Sequence, residues 1–136
     1  MLVRCINNVT YKFELIGVND TEGDPITSNY YSNIGEKCTY SIDGNESYKV
    51  YAIAIINGEL HYLLIGNLGY PQFYKANLFE IVENDIFDLN LVSVYNNEFI
   101  SYLIADEYLS NKETIKKIIR KDPNELSKFY NYTKLK

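Results

Sequence analysis

Residues 48–66 read YKVYAIAIINGELHYLLIG, two β-rich runs joined by Asn57-Gly58. Asn-Gly is the favoured pair of a type I′ hairpin turn, because both central residues of that turn take positive φ. A two-residue loop fixes the register, so Ile56 faces Glu59, Ile55 faces Leu60, and the pairing continues outward. One face of the hairpin then carries Tyr51, Ile53, Ile55, Leu60, Tyr62 and Leu64. It is apolar throughout and is expected to lie on the core. The other carries Val50, Ala52, Ala54, Ile56, Glu59, His61, Leu63 and Ile65. That face is wet near the turn and apolar near the base, where a third element is expected to cover it.

Weaker strand signals surround the hairpin. Met1 to Ile6 and Tyr11 to Ile16 flank an Asn7-Asn8 turn signal, and Lys37 to Ile42 reads as a short strand. Gln72 to Val82 reads as a strand, a turn near Ala76-Asn77 and another strand; Leu89 to Tyr95 reads as one more. Val18 to Gly35, rich in Asn, Asp, Gly, Ser and Thr, reads as a long loop. After Asn96 the period changes. Phe99, Ile100, Leu103 and Ile104 recur at helical spacing. Ser110-Asn111-Lys112-Glu113 is a capping box that opens a helix with Ile115, Ile118 and Ile119 on one stripe. Asp122-Pro123-Asn124-Glu125 starts another, with Pro at its first position and Leu126, Phe129 and Tyr130 as its apolar face. The expected architecture is therefore α+β. A small antiparallel β-barrel of five or six strands occupies residues 1–95, and a helical segment, 96–136, packs on it as part of a single domain.

Composition narrows what such a domain can do. The chain has 136 residues and a net charge of −5, enough length for a core without disulfides or a structural metal. Up to Ala105 there are 5 basic and 13 acidic residues; from Asp106 onward there are 8 and 5. A general nucleic-acid or polybasic membrane binder is disfavoured by that balance. The basic cluster Lys116, Lys117, Arg120 and Lys121 reads as a solvated helix face, or as a tail docked on the acidic part. No apolar run has signal-peptide or membrane-span length, so the protein is expected to act in the cytoplasm, where it is made. Cys5 and Cys38 read as two buried thiols, with a disulfide between them left open.

Catalytic signatures are few. His61 is the only histidine, which excludes a two-His metal site, and it is expected at the surface of its strand. Asp20, Glu22 and Asp24 alternate in the long loop, but the twelve-residue calcium pattern with its terminal Glu is missing. No phosphate-cradling, dinucleotide or nucleophile-elbow motif occurs. Neither metal nor cofactor is expected. A carboxylate pair is left open, since 18 acidic residues make chance pairs common. Tyr is enriched, with 14 copies, and the segment Tyr70-Pro71-Gln72-Phe73-Tyr74 is the best candidate for an aromatic recognition patch.

Several short motifs occur in a consistent order: Val3-Arg4-Cys5-Ile6-Asn7-Asn8, Ile34-Gly35-Glu36-Lys37, Tyr48-Lys49-Val50-Tyr51-Ala52-Ile53, Tyr62-Leu63-Leu64-Ile65, and Tyr70 through Val82 (YPQFYKANLFEIV). With these, residues 1–86 resemble small bacterial proteins that have a Src-homology-3-like barrel, some of which look like toxin-immunity proteins. The loop from Val18 to Asn33 is longer than the usual pattern, and Lys75 stands where Pro is common. The resemblance implies a non-enzymatic module that binds and neutralises a basic toxin domain. Asp20, Glu22 and Asp24 would then pair with basic groups on the toxin, and Tyr70, Phe73 and Tyr74 would supply the anchor. The rival readings are a phage or mobile-element inhibitor of a host nuclease acting by acidic mimicry, and a small enzyme using a carboxylate pair.

Overall fold

The structure, a computed structural model, describes residues 1–6, 9–11, 37–39, 42–86, 89–95 and 100–134; for 9–11 and 37–39 only the backbone is described. In chain order the elements are β1 (Leu2–Cys5), β2 (Val9–Tyr11), β3 (Lys37–Thr39), β4 (Ser47–Lys49), β5 (Ala52–Ile56), β6 (Glu59–Ile65), β7 (Pro71–Lys75), a 3-10 turn (Ala76–Leu78), β8 (Phe79–Glu83), β9 (Leu91–Val94), β10 (Ile100–Ala105), α1 (Lys112–Ile119) and α2 (Pro123–Lys134). The strands form a five-stranded sheet in the order β7-β6-β5-β10-β9, a three-stranded sheet β4-β1-β8, and the pair β2-β3. All their pairings are antiparallel. The fold is thus α+β, with two C-terminal helices. Among the described residues these pairings do not close a barrel.

The hairpin has the expected register, with Ile56 opposite Glu59 and Ala52 opposite Leu63. Asn57 and Gly58 take φ of 50° and 78°, the left-handed values that a type I′ turn requires. The two helix starts also follow from local chemistry. Asn111 Oδ1 accepts from the Glu113 and Thr114 N–H groups, so the cap of α1 is Asn111 and not Ser110. Asp122 Oδ1 accepts from the Glu125 N–H at 2.9 Å and caps α2, with Pro123 first in the helix. Between them Lys121 turns left-handed at φ 63°. Its N–H donates to the Ile118 carbonyl and the Asp122 N–H to the Lys117 carbonyl, closing α1 with a Schellman motif.

Two expectations are corrected. Of the helix read from Phe99, Ile100, Leu103 and Ile104, the last three lie in the strand β10 and Phe99 lies outside the described residues, so 96–136 is not helical throughout. Ile100 pairs with Ile56 and Tyr102 with Ile55, which leaves Ser101 as an extra residue in a bulge. The bulge turns Ile100 and Leu103 to the same side, and this reproduces the three-residue spacing of a helix. The expected core face of the hairpin is only partly on the core: Tyr62 and Leu64 are buried, but Leu60 is exposed. The fully buried side is the one holding Ala52, Ala54, Ile56, His61 and Leu63.

The helical layer covers that side. α1 lies against β7, and Ser110 O accepts from Ser93 Oγ and Tyr95 Oη. Ile115, Ile118, Ile119, Leu126 and Phe129 are buried with Phe73 and Leu103 in one core. Tyr51 meets Phe129 edge-on at 5.4 Å between ring centroids. Tyr130 Oη donates to the Gly69 carbonyl, tying α2 to the turn before β7. On the opposite side, Phe79 at the start of β8 packs edge-on against Tyr48, Tyr62 and Tyr74. The short sheet is pinned by an ion pair between Arg4 and Glu80. Cys5 is buried in β1. The Cys38 side chain, like residues 7–8, 12–36 and 40–41, lies outside the described residues.

Candidate protein-binding surface

The ladders place three strands side by side with apolar residues in register. Val94 faces Tyr102, Tyr102 faces Ile55, and Ile55 faces Leu60. The next row runs Val92, Ile104, Ile53, Tyr62. Directly opposed residues of an antiparallel sheet project to the same side, so both rows stand on one face. At its β6–β7 end this face is covered, and Tyr62, Leu64 and Tyr74 are buried. At its β9–β10 end, and at Leu60 beside the hairpin turn of β6, it is open: Val92 is 64%, Val94 61%, Tyr102 49% and Leu60 42% exposed. Neither row contains a charged residue. Contiguous exposed apolar surface of this kind marks interaction sites on soluble proteins, whereas scattered exposed apolar residues do not.

The residues singled out from sequence have different fates. Asp20, Glu22 and Asp24 lie outside the described residues. Phe73 and Tyr74 are fully buried, because β7 is sandwiched between the helical layer on one side and Phe79 on the other. They are core residues and not the anchor of a patch. Burial also raises the pKa of the Tyr74 hydroxyl above its ordinary value. Tyr70 is 39% exposed, with Lys121 Nζ 4.5 Å from its ring centroid. Lys112 Nζ likewise stands 5.8 Å from the Tyr95 ring. The basic helices therefore meet the β part through tyrosine faces, and they are part of the core.

His61 is buried, in contrast to the surface position expected. Its Nδ1 lies 2.8 Å from the Glu59 carbonyl, which makes Nδ1–H the donor of a neutral imidazole. Burial pulls its pKa down from 6.5 to about 4, overriding the opposing pull of the Glu59 carbonyl and carboxylate. Opposite it Lys75, also buried, places Nζ 3.1 Å from Glu59 Oε2. The row Leu103, Ala54, His61, Lys75 runs across the covered face, so this polar group belongs to the interior packing and not to the open surface.

A small depression lies beside β4 and carries Asp85 and Asp106 with Lys49 and Tyr132. Asp106 Oδ1 accepts the Leu109 N–H at 2.9 Å and so holds the turn before α1. Among the described residues no cluster of three or more His, Cys, Asp or Glu gathers to hold a metal. Among them, too, no helix is long and apolar enough to cross a membrane.

No family model matches the chain, and no curated protein or solved structure does. The likeness to barrel proteins therefore rests on the sequence motifs alone.

Sequence reasoning missed Val92, Val94, Tyr102 and Leu60. Their signal was present in the apolar hairpin face, which was assigned wholly to the core although only its Tyr62 and Leu64 are buried and Leu60 is exposed.

Proposed function

We propose that the chain is a non-enzymatic protein-binding module that presents the open face of β5, β10 and β9 to a protein partner. The observation that carries this reading is the exposure of Val92, Val94, Tyr102 and Leu60 in two uncharged rows of a sheet whose opposite side packs on the helical layer. An aromatic ring flanked by aliphatic side chains is a suitable desolvated anchor. Tyr102 takes the place that the sequence suggested for Phe73 and Tyr74.

The partner in this reading is basic. A chain of net charge −5, with its acidic residues concentrated before Asp106, attracts a positively charged protein and speeds the encounter. The motifs that resemble Src-homology-3-like barrel proteins narrow the proposal to an immunity protein that neutralises a cognate toxin in the compartment where both are made. Asp20, Glu22 and Asp24 would act as steering charges: changing all three to Lys would slow association and flatten its salt dependence. Unchanged association at low salt contradicts that role.

The test is affinity capture from the cells that make the protein, eluted in salt steps and read by mass spectrometry. The expected result is one basic protein in stoichiometric amount, whose toxicity the purified chain suppresses. Absence of any partner above background contradicts the reading.

One observation favours a second reading. Asp85 and Asp106 line the same depression, as a small enzyme with a carboxylate pair would require. The hydrogen bond from Leu109 already gives Asp106 a structural role. Asp85→Asn should therefore leave the protein's action unchanged, and its loss would favour the enzyme.

A further inference from the structure

β9 is an outer strand of the five-stranded sheet. β10 pairs with it on one side, and among the described residues no strand lies on the other. The Tyr95 N–H donates to the Ser101 carbonyl, so Tyr95 turns its main-chain groups toward β10. In an antiparallel ladder this orientation alternates. Leu91 and Ser93 therefore turn inward with Tyr95, and Val92 and Val94 direct their N–H and C=O groups to the open edge. The pairing from Leu91 to Val94 runs without a bulge, and the strand holds no Pro, Lys or other charged residue. These are the devices by which sheet proteins blunt their edges. The residues with outward main-chain groups are also those whose side chains are most exposed on the open face.

Val92 and Val94 are symmetric about Ser93. We propose that a second copy of this chain adds to the edge, β9 to β9, antiparallel about a two-fold axis at Ser93. Val92 of each copy then faces Val94 of the other, and each facing pair exchanges two N–H···O=C bonds. A second copy carries the same uncharged, unbulged edge, so its outward groups meet equivalent outward groups about the axis. The lack of charge in β9 leaves no local repulsion at the axis. The facing valines stand on the same side of both sheets, so the open faces join into one continuous apolar surface. The like net charge of the copies opposes their approach at long range, so added salt strengthens the pairing. The inference uses the strand edge and is independent of which partner, if any, covers the sheet face.

The test is amide hydrogen exchange by NMR on the full chain, from micromolar to millimolar concentration, with sedimentation of the same samples. The Val92 and Val94 amides are expected to gain protection in step with dimer formation, while Leu91, Ser93 and Tyr95 stay protected throughout. Val94→Pro removes an outward N–H and leaves the β10 ladder intact. It should weaken self-association by about tenfold or more. Val92→Lys with Val94→Lys should do the same by charge, with an unchanged circular dichroism spectrum in both cases. The proposal is overturned if Val92 and Val94 exchange freely at every concentration. It is equally overturned if they are protected in a monomer, or if neither variant alters association.

Discussion

Two ends of one sheet face have nearly the same chemistry and opposite surroundings. At the β6–β7 end Tyr62, Leu64 and Tyr74 lie beneath the short sheet, with Phe79 edge-on to both tyrosines. At the β9–β10 end Tyr102, Val92 and Val94 continue the same apolar rows with nothing described above them. The rows themselves do not distinguish the two ends. The difference lies in whether a second element of this chain arrives to cover the strand. An apolar sheet face that a protein leaves uncovered is tolerated at a risk of aggregation, and it persists most readily where a partner covers it.

The largest test of this contrast uses neighbouring residues of β10. Leu103 is buried and Tyr102 half-exposed on the other side. Leu103→Ala should destabilise the protein by about 3–4 kcal/mol, the penalty of a core cavity. Tyr102→Ala should change stability by only about 0.5 kcal/mol. Denaturant unfolding measures both, and similar losses would mean that the open face is packed after all.

Acid should act on the covered side next. His61 is held neutral there, with its pKa at about 4 in the folded state and 6.5 when exposed. Between those values the unfolded chain binds a proton that the folded chain does not. Stability from this group is therefore complete above pH 6.5 and declines as the pH falls toward 4, by about 3 kcal/mol in all. His61→Gln should flatten that part of the pH profile. A profile unchanged by the substitution would place His61 in contact with water.

A smaller effect concerns the covering layer. Asp122 caps α2, the helix whose Tyr130 holds the Gly69 carbonyl. Asp122→Ala should cost about 1 kcal/mol. The measurement is a thermal melt, and no change would show that tertiary packing alone sets the start of α2.

The sequence made legible whatever is determined by near neighbours. Asn57-Gly58 dictated its turn because few pairs accept two positive φ values, and Asp122-Pro123 marked a helix start through one side-chain hydrogen bond. Ala76 to Leu78 separates β7 from β8 as the pattern of Gln72 to Val82 implied. Features that depend on remote contacts were misread. The bulge at Ser101 exists only against β5, and without it Ile100 and Leu103 count as helical neighbours. Phe73 and Tyr74 look like a recognition segment until the helices and Phe79 close on either side of β7. The expected core face of the hairpin is covered at Tyr62 and Leu64 but open at Leu60 for the same reason. Apolarity marks a surface that prefers to be covered, and only the tertiary arrangement shows whether the chain itself covers it.

The most direct test of the open face is a paired capture. Wild-type protein and a Leu60→Lys, Tyr102→Glu variant, matched in circular dichroism and melting temperature, would serve as baits in the same lysate. The account predicts a stoichiometric partner on the wild type and its loss, by about tenfold or more, from the variant. Equal recovery on both baits would contradict it and move the binding surface elsewhere on the molecule.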